Sequence, residues 1–361
     1  NTLIFCFLIA VCFFYFFSFF GIAPKINLFL DLFFYFILIT IWRQTFNHFI
    51  KSSFQIPLAI TSSDNSKNNA HEFITFIQNQ PQLGYKIACI INTSLIPQSQ
   101  IIQLLKKHKV QIVVINSDSQ DKLNQQLIPL FLSLNIKTIS LLTAYEKIIG
   151  YLPLNLIISS QNQFSSFHPI TKSKKIIKQS LDLSTSLILF PFLILLYPFV
   201  AILIKLNSAG PVIYKQKRVG KNKKEFTLYK FRTMHQKAEE NGPQWAQTND
   251  PRITFIGRLL RQTHIDELPQ IINVIKGQLS LVGPRPERPE FTNQLEKQIP
   301  YYSLRHLIKP GITGWAQINF RYGRSIEDTI KKLQFDLWYL KNQSIWLDLK
   351  IILKTIRLFW P

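Results

Sequence analysis

Two long apolar runs open the chain. Leu3 to Phe20 is broken only by Ser18, and Ile26 to Trp42 carries only Asn27, Asp31 and Thr40 as polar interruptions. Each approaches the ~20 apolar residues that a bilayer crossing needs, and Gly21-Ile22-Ala23-Pro24-Lys25 punctuates them. A cleaved signal would want a basic segment before the first run and a small-residue site after it, and neither is there. Arg43, His48 and Lys51 follow the second run, which by the positive-inside tendency leads the chain into the cytoplasm. The pattern predicts transmembrane helices at about 3–20 and 26–42 within an anchor over residues 1–50, with Asn1 on the cytoplasmic side too. Asn1 in place of Met leaves room for an upstream piece.

From about Ile56 the period changes. Pro57 to Ile60, Lys86 to Ile91, Val110 to Ile115 and Ile136 to Ile139 are short runs rich in β-branched residues. Between them Ala70 to Ile77, Ser99 to Lys107 and Lys122 to Leu134 have helical spacing. Strands alternating with helices predict a parallel sheet, so residues 55–160 read as a Rossmann-like α/β domain. The first strand runs into Thr61-Ser62-Ser63-Asp64-Asn65-Ser66 rather than a glycine-rich phosphate turn, which predicts no bound dinucleotide.

A polar linker, Ser159 to Thr171, and a basic run, Lys172 to Lys178, precede a third apolar stretch, Leu181 to Leu206. A straight span is the simple reading. Pro191 near its middle and lysines or arginines on both flanks argue instead for a re-entrant helix that breaks at Pro191 and returns to the same side. Beyond it, Val212 to Arg218 and Glu225 to Arg232 predict a β-hairpin with Lys230 and Arg232 on one face. A charged edge strand would look the same. Thr254 to Gln262 and Leu268 to Lys276 read as helices, the second closed by Gly277 and buried through Leu268, Ile271, Ile272 and Ile275. Pro310-Gly311-Ile312-Thr313-Gly314 reads as a rigid turn. Residues 172–361 are thus predicted to form a mainly helical α+β domain.

Composition adds a direction. Of 361 residues 47% are hydrophobic, and Lys and Arg exceed Asp and Glu by a formal charge of +22. Such an excess favours nucleic acid, an anionic membrane face or phosphorylated substrates. The predicted spans favour a lipid bilayer and exclude nucleic acid as the working partner. Cys6, Cys12 and Cys89 sit in apolar runs and suggest no disulfide framework. Within the basic half, Asp266 and Glu267 stand side by side among Arg258, Arg261 and Arg285. Paired carboxylates beside guanidiniums suit a metal-bound phosphate ester. Asp266 as a simple helix cap is the plainer reading, and the residues alone leave both open.

Asp250-Pro251-Arg252, Gly257-Arg258, Asp266-Glu267-Leu268-Pro269-Gln270, Asn273, Lys276-Gly277, Ser280 to Pro286 and Pro310 to Gln317 follow one another in order, after Lys230-Phe231-Arg232-Thr233-Met234. With these motifs the chain resembles the bacterial sugar transferases, polyprenyl-phosphate phosphoglycosyl transferases that start exopolysaccharide, capsule and O-antigen units. The resemblance runs from about Lys174 to the C-terminus, and the long members share the anchor and Rossmann-like region. It implies transfer of a phosphosugar from a UDP-sugar to polyprenyl (undecaprenyl) phosphate at the cytoplasmic face of the bacterial inner membrane, releasing UMP. It implies Asp266 as nucleophile, Glu267 as its partner, and both as ligands of Mg²⁺. Lys230, Arg232, Arg258, Arg261, Arg285, Arg305, Gln317 and Arg321 become candidates for phosphate or substrate binding, Pro191 the helix break, and a second copy of the chain, in a homodimer, a candidate partner. Gln278 stands where the family usually has Asp or Glu, which would bear on activity if that acid tunes the metal site. Aromatics from Tyr301 to Trp346 suggest a membrane-interface belt as readily as a core.

Two other classes compete. A membrane-bound glycosyltransferase would move the sugar alone and release UDP. A membrane-anchored scaffold or sensor would need no acid pair.

Overall fold

The fold, a computed structural model, describes residues 25–53, 55–62, 67–92, 96–116, 122–159, 170–236, 238, 242, 250–320 and 325–359. The chain divides into two compact units, residues 1–149 and 150–361.

The described part of the first unit begins with helix α1, Lys25–Ser53, whose side chains from Phe33 to Phe46 include exposed Phe34, Phe36, Leu38 and Trp42. The other predicted crossing, residues 3–20, lies outside the described residues. Then β1 (Ile56–Ser62), α2 (Lys67–Asn79), β2 (Tyr85–Asn92), α3 (Gln98–Lys107), β3 (Ile112–Ile115), α4 (Lys122–Ser133) and β4 (Lys137–Ser140) alternate. The sheet is parallel throughout, in the order β2-β1-β3-β4. Strands buried on both faces need continuous apolar runs rather than alternation, which is why Leu58, Ala59, Ile60, Val113 and Val114 are all fully buried. At the point where the winding reverses, between β1 and β3, Thr61 Oγ1 accepts a hydrogen bond from the Asn116 amide. The short helix α5 (Leu141–Ala144) follows.

The unit boundary falls before Gly150, so residues 150–159, assigned from sequence to the α/β domain, belong with the second unit. The Leu152 amide donates to the Gln334 carbonyl, and Trp315 Nε1 donates to the Gly150 carbonyl at 2.6 Å. After α6 (Leu154–Ser159) comes α7, Lys172–Asn207, a single helix of 36 residues. This corrects the expected break at Pro191: both Pro191 and Pro198 lie inside the helix. A proline deletes one rung of the hydrogen-bond ladder and crowds one carbonyl, which bends a helix without having to end it. One stripe of α7, Asp182, Ser186, Leu193, Val200 and Ile204, is buried, Phe190 and Leu196 are half-buried beside it, and most of its other apolar side chains are exposed.

The hairpin forms as predicted, β5 (Ile213–Val219) against β6 (Glu225–Phe231), with Tyr214 opposite Lys230. Next come α8 (Phe255–Gln262), a 3₁₀ segment Ile265–Gln270, α9 (Ile271–Ile275) and β7 (Ser280–Val282). Then α10 (Pro289–Gln298), a 3₁₀ segment Tyr302–Leu307, β8 (Gly311–Thr313), α11 (Trp315–Asn319), α12 (Ile326–Asn342) and α13 (Ile345–Phe359) complete the unit. The Pro310–Gly314 stretch is therefore a strand, parallel to β7, rather than a turn. Its glycines explain why: a Cβ on Gly311 or Gly314 would overlap the Gly283 backbone, so the two chains cross with no side chain between them. Several of the C-terminal aromatics are core rather than belt. Tyr302, Trp315 and Tyr339 are buried, and Trp315 stacks on Trp338 at 4.7 Å. Tyr301 and Trp346 are exposed.

Candidate active site

The acid pair sits where two short helical segments join. Asp266 and Glu267 occupy the first turn of the 3₁₀ segment, ahead of α9, and Asp266 caps neither helix. The residue at the cap position is His264, held at φ 55° and exposed, with no side-chain cap hydrogen bond. The capping explanation for Asp266 therefore fails. Leu268 and Ile272, with Ile265, pack against Leu193, Val200, Ile204, Phe231 and Leu260. Each fully buried aliphatic side chain contributes about 1.5–3 kcal/mol, so the acid-bearing segment is fixed to the C-terminal half of α7 and to β6. Gly277, at φ 71°, ends α9 in the left-handed conformation its sequence position predicts.

Glu267 is gripped by two cations. Lys230 Nζ lies 2.6 Å and Arg285 Nη2 3.0 Å from the same oxygen, Oε1. Burial alone would raise the Glu267 pKa, but the Lys230 and Arg285 charges and their hydrogen bonds outweigh it and hold the carboxyl well below the usual range. Asp266 moves the opposite way. Burial raises it, Glu267 adds to the rise, and Lys230 and Arg261 pull it back only in part. Adjacent carboxyls whose environments push their pKa values apart are a mark of divided chemical roles.

Arg261 anchors the third side. Its Nε donates to Thr233 Oγ1 at 2.9 Å, and its charge acts on Asp266 and on the pair Asp250–Arg252. Asp250 is buried and takes Arg252 in a forked pair, Nε to Oδ1 at 2.8 Å and Nη2 to Oδ2 at 2.6 Å. Gly257 makes this corner possible, because a Cβ there would overlap the Thr233 carbonyl. Thr254 caps α8 by accepting from the Gly257 amide at 2.9 Å. Gly257→Ala is expected to cost about 1–3 kcal/mol by overpacking backbone against backbone. A lower melting temperature would show it, with an activity loss from the displaced Arg261.

Other candidates are drawn elsewhere. Arg232 donates to the Ser208 and Ala209 carbonyls and to Ser208 Oγ, closing the end of α7. Its guanidinium is thus committed to the end of α7, where carbonyls left open at a helix end are strong acceptors. Arg305 is buried against Tyr302 Oη and lies 2.8 Å from Asp336 Oδ2. Its Nη2 also donates to the Arg285 carbonyl, so it holds the arginine that grips Glu267. Burial pushes the Asp336 carboxyl up to about 6, against the pull of Arg305. Gln317 gives its Nε2 to the Ile312 carbonyl, Arg258 is exposed on α8, and Arg321 lies outside the described residues.

Gln278 accepts from Asn273 Nδ2 at 2.8 Å, while Asn273 also bridges Thr227 and Tyr229 on β6. The position supplies an acceptor for a buried amide, which glutamine provides as an acid would. Sequence reasoning also missed Asp182. Its carboxylate accepts from Ser280 Oγ at 2.7 Å and from the Leu281 amide at 3.1 Å, tying α7 to β7. A carboxylate inside an apolar helix was the available signal.

Among the described residues no cluster of three or more His, Cys, Asp or Glu offers a metal cage. Mg²⁺, however, is commonly bound through one or two carboxylates plus substrate phosphates, and the dyad fits that mode: both cation pairs converge on Glu267 Oε1.

Adjacent acids, Lys230, Arg261 and Arg285 thus meet on a segment packed against the long apolar helix α7. The model of the bacterial sugar transferase family matches residues 173–360, and the chain belongs to that family. It is 45% identical over 197 residues to a UDP-N-acetylgalactosamine-undecaprenyl-phosphate N-acetylgalactosaminephosphotransferase of Aeromonas hydrophila, covering 55% of this chain and 46% of that protein. It is 39% identical over 190 residues to a UDP-glucose:undecaprenyl-phosphate glucose-1-phosphate transferase of Escherichia coli, covering 52% and 41%. An exopolysaccharide production protein of Rhizobium leguminosarum is 41% identical over 191 residues, 50% of this chain but 94% of its own length. The match thus spans less than half of the first two relatives.

Proposed function

We propose that the chain transfers a sugar 1-phosphate from a UDP-sugar to a polyprenyl phosphate, undecaprenyl phosphate in the relatives named above, in two displacements through Asp266. The observation that carries this is the buried Asp266 beside a Glu267 already neutralised by Lys230 and Arg285. An anionic nucleophile approaching an anionic diphosphate is opposed by charge, and fixed cations aimed at the site remove that opposition. A carboxylate oxygen of Asp266 attacks the sugar-bearing phosphorus. The bridging P–O bond breaks, and its electron pair leaves with UMP. A phosphate oxygen of the acceptor then attacks the same phosphorus, the acyl-phosphate bond breaks, and Asp266 regains its carboxylate. Lys230 and Arg285 keep Glu267 ionised and oriented; Arg261 lies within electrostatic reach of Asp266. Asp266 and the second oxygen of Glu267 are the groups that would hold Mg²⁺, which when bound adds charge neutralisation at the diphosphate.

Seating follows from α7. Its N-terminal part is tied down by Lys178, which reaches the Val282 carbonyl and Asp348 Oδ2 (2.6 Å), and by Asp182; its C-terminal part is packed through Val200 and Ile204. Both ends therefore rest on one folded body, while Leu187, Ile188, Phe192, Leu195 and Phe199 stay exposed between them. A helix crossing the bilayer would have to carry one end away from that body. The arrangement favours a helix embedded from the cytoplasmic face with both flanks on that side. Single cysteines near Lys174 and near Lys215 are expected to react with an impermeant thiol reagent only from the cytoplasmic side. Labelling of either from the periplasm would overturn this seat.

The released nucleotide separates the reaction classes. With UDP-sugars and polyprenyl phosphate, UMP is expected; UDP would point to a transferase that moves the sugar alone, and no turnover with any candidate sugar to a scaffold.

A further inference from the structure

A cavity of about 70 Å³ opens beside the first turns of α7, lined by Lys175, Lys178, Asp182, Lys221 and Lys309. Asp182 is spent on Ser280 and Leu281, and Lys178 on Asp348 and Val282. Lys175, Lys221 and Lys309 remain as positive charge that these carboxylates do not balance. Burial, reinforced by Lys175, lowers the Lys221 pKa; burial and the neighbouring lysines lower that of Lys309, with Asp182 opposing. Lys221 and Lys309 thus face neighbouring positive charge that a bound anion would offset. The cavity is several times the ~15 Å³ that holds one water, which suits a phosphate group, and lysine is a point-charge phosphate binder.

Its level on α7 is informative. Exposed Ile176, Ile177, Leu181 and Leu183 mark the start of the apolar surface in the same turns that carry Lys175, Lys178 and Asp182. Residues at such a boundary sit at headgroup depth. The pocket is separate from the acid pair, although Val282 in its wall is three residues from Arg285.

We infer that this pocket binds the phosphate of a membrane amphiphile, supplied by an anionic phospholipid or by a polyprenyl phosphate held beside the catalytic centre. The inference rests on the membrane seat argued above. The test is vesicle flotation of the full chain with neutral phosphatidylcholine, and with the same vesicles carrying either phosphatidylglycerol or polyprenyl phosphate. The double variant Lys221→Gln/Lys309→Gln is compared with Lys215→Gln/Lys217→Gln, which removes equal charge from exposed positions on β5.

The pocket variant is expected to lose about tenfold or more of the preference for the doped vesicles, keeping its melting temperature and its binding to neutral ones. The control variant should lose far less. Loss with phosphatidylglycerol alone assigns the phospholipid, loss with polyprenyl phosphate alone assigns the acceptor, and loss with both assigns a common phosphate site. Equal losses in the two variants, or none in the pocket variant, would overturn the inference. Failure of the unaltered chain to bind neutral vesicles would instead overturn the membrane seat.

Discussion

Asp266→Asn is expected to abolish transfer, by on the order of 10⁴-fold or more, the scale on which loss of a catalytic nucleophile acts. An amide neither attacks phosphorus nor returns as a leaving group in the way a carboxylate does. The fold should survive, because Asp266 caps no helix and the segment is held by Leu268 and Ile272. Burial raises the Asp266 pKa above the ordinary carboxyl value. The attacking form is the ionised one, so activity should fall as pH drops through that raised value, sooner than for an exposed aspartate. Lys230 is the largest influence lowering it, and Lys230→Met should therefore move the acid limb to still higher pH. A pH–rate profile of the unaltered and Lys230→Met chains checks the sign; a limb that stays put would remove Lys230 from this role.

Glu267→Gln should damage both stability and turnover. It removes the negative charge on which Lys230 and Arg285 converge. Breaking a buried ion pair from one side costs about 3–5 kcal/mol, since it strands the partner charge. The Glu267 and Lys230 side chains are 14% and 18% exposed, whereas Arg285 is 44% exposed and its share is screened by solvent. The lower part of that range is therefore expected. Because the folded Glu267 pKa lies below its unfolded value, its stabilisation is fully present above the unfolded value of ~4.3. It is lost as pH falls below that. Melting curves of both chains should differ most near neutral pH and converge in acid. A gap that widens in acid would contradict the ion-pair account.

The local part of this fold was legible in the sequence. Four β-branched runs became the four parallel strands, and the hairpin, the Thr254 and Gly277 helix signals and the acid pair fell where pattern placed them. What escaped were partners fixed by tertiary contact. Lys230 and Arg232 are two apart on one strand-like run, yet one reaches Glu267 and the other turns to the end of α7. Arg305 reads as one more basic residue until its bond to the Arg285 carbonyl shows it acting through another arginine. Pro191 predicts a weakened helix, but whether it breaks depends on what packs around it. Gly311 was read as part of a turn, while it and Gly257 and Gly283 serve close backbone crossings that no local rule reveals.

The central claim is a phosphosugar carried on Asp266. Incubating the protein with Mg²⁺ and a UDP-sugar its acceptor reaction uses, without polyprenyl phosphate, and reading nucleotide release against intact protein mass tests it directly. About one UMP per active site is expected, with a mass gain of one sugar phosphate that maps to the peptide holding Asp266, is absent in Asp266→Asn, and is discharged when polyprenyl phosphate is added. Nucleotide release that waits for the acceptor, with no mass gain, would contradict the account.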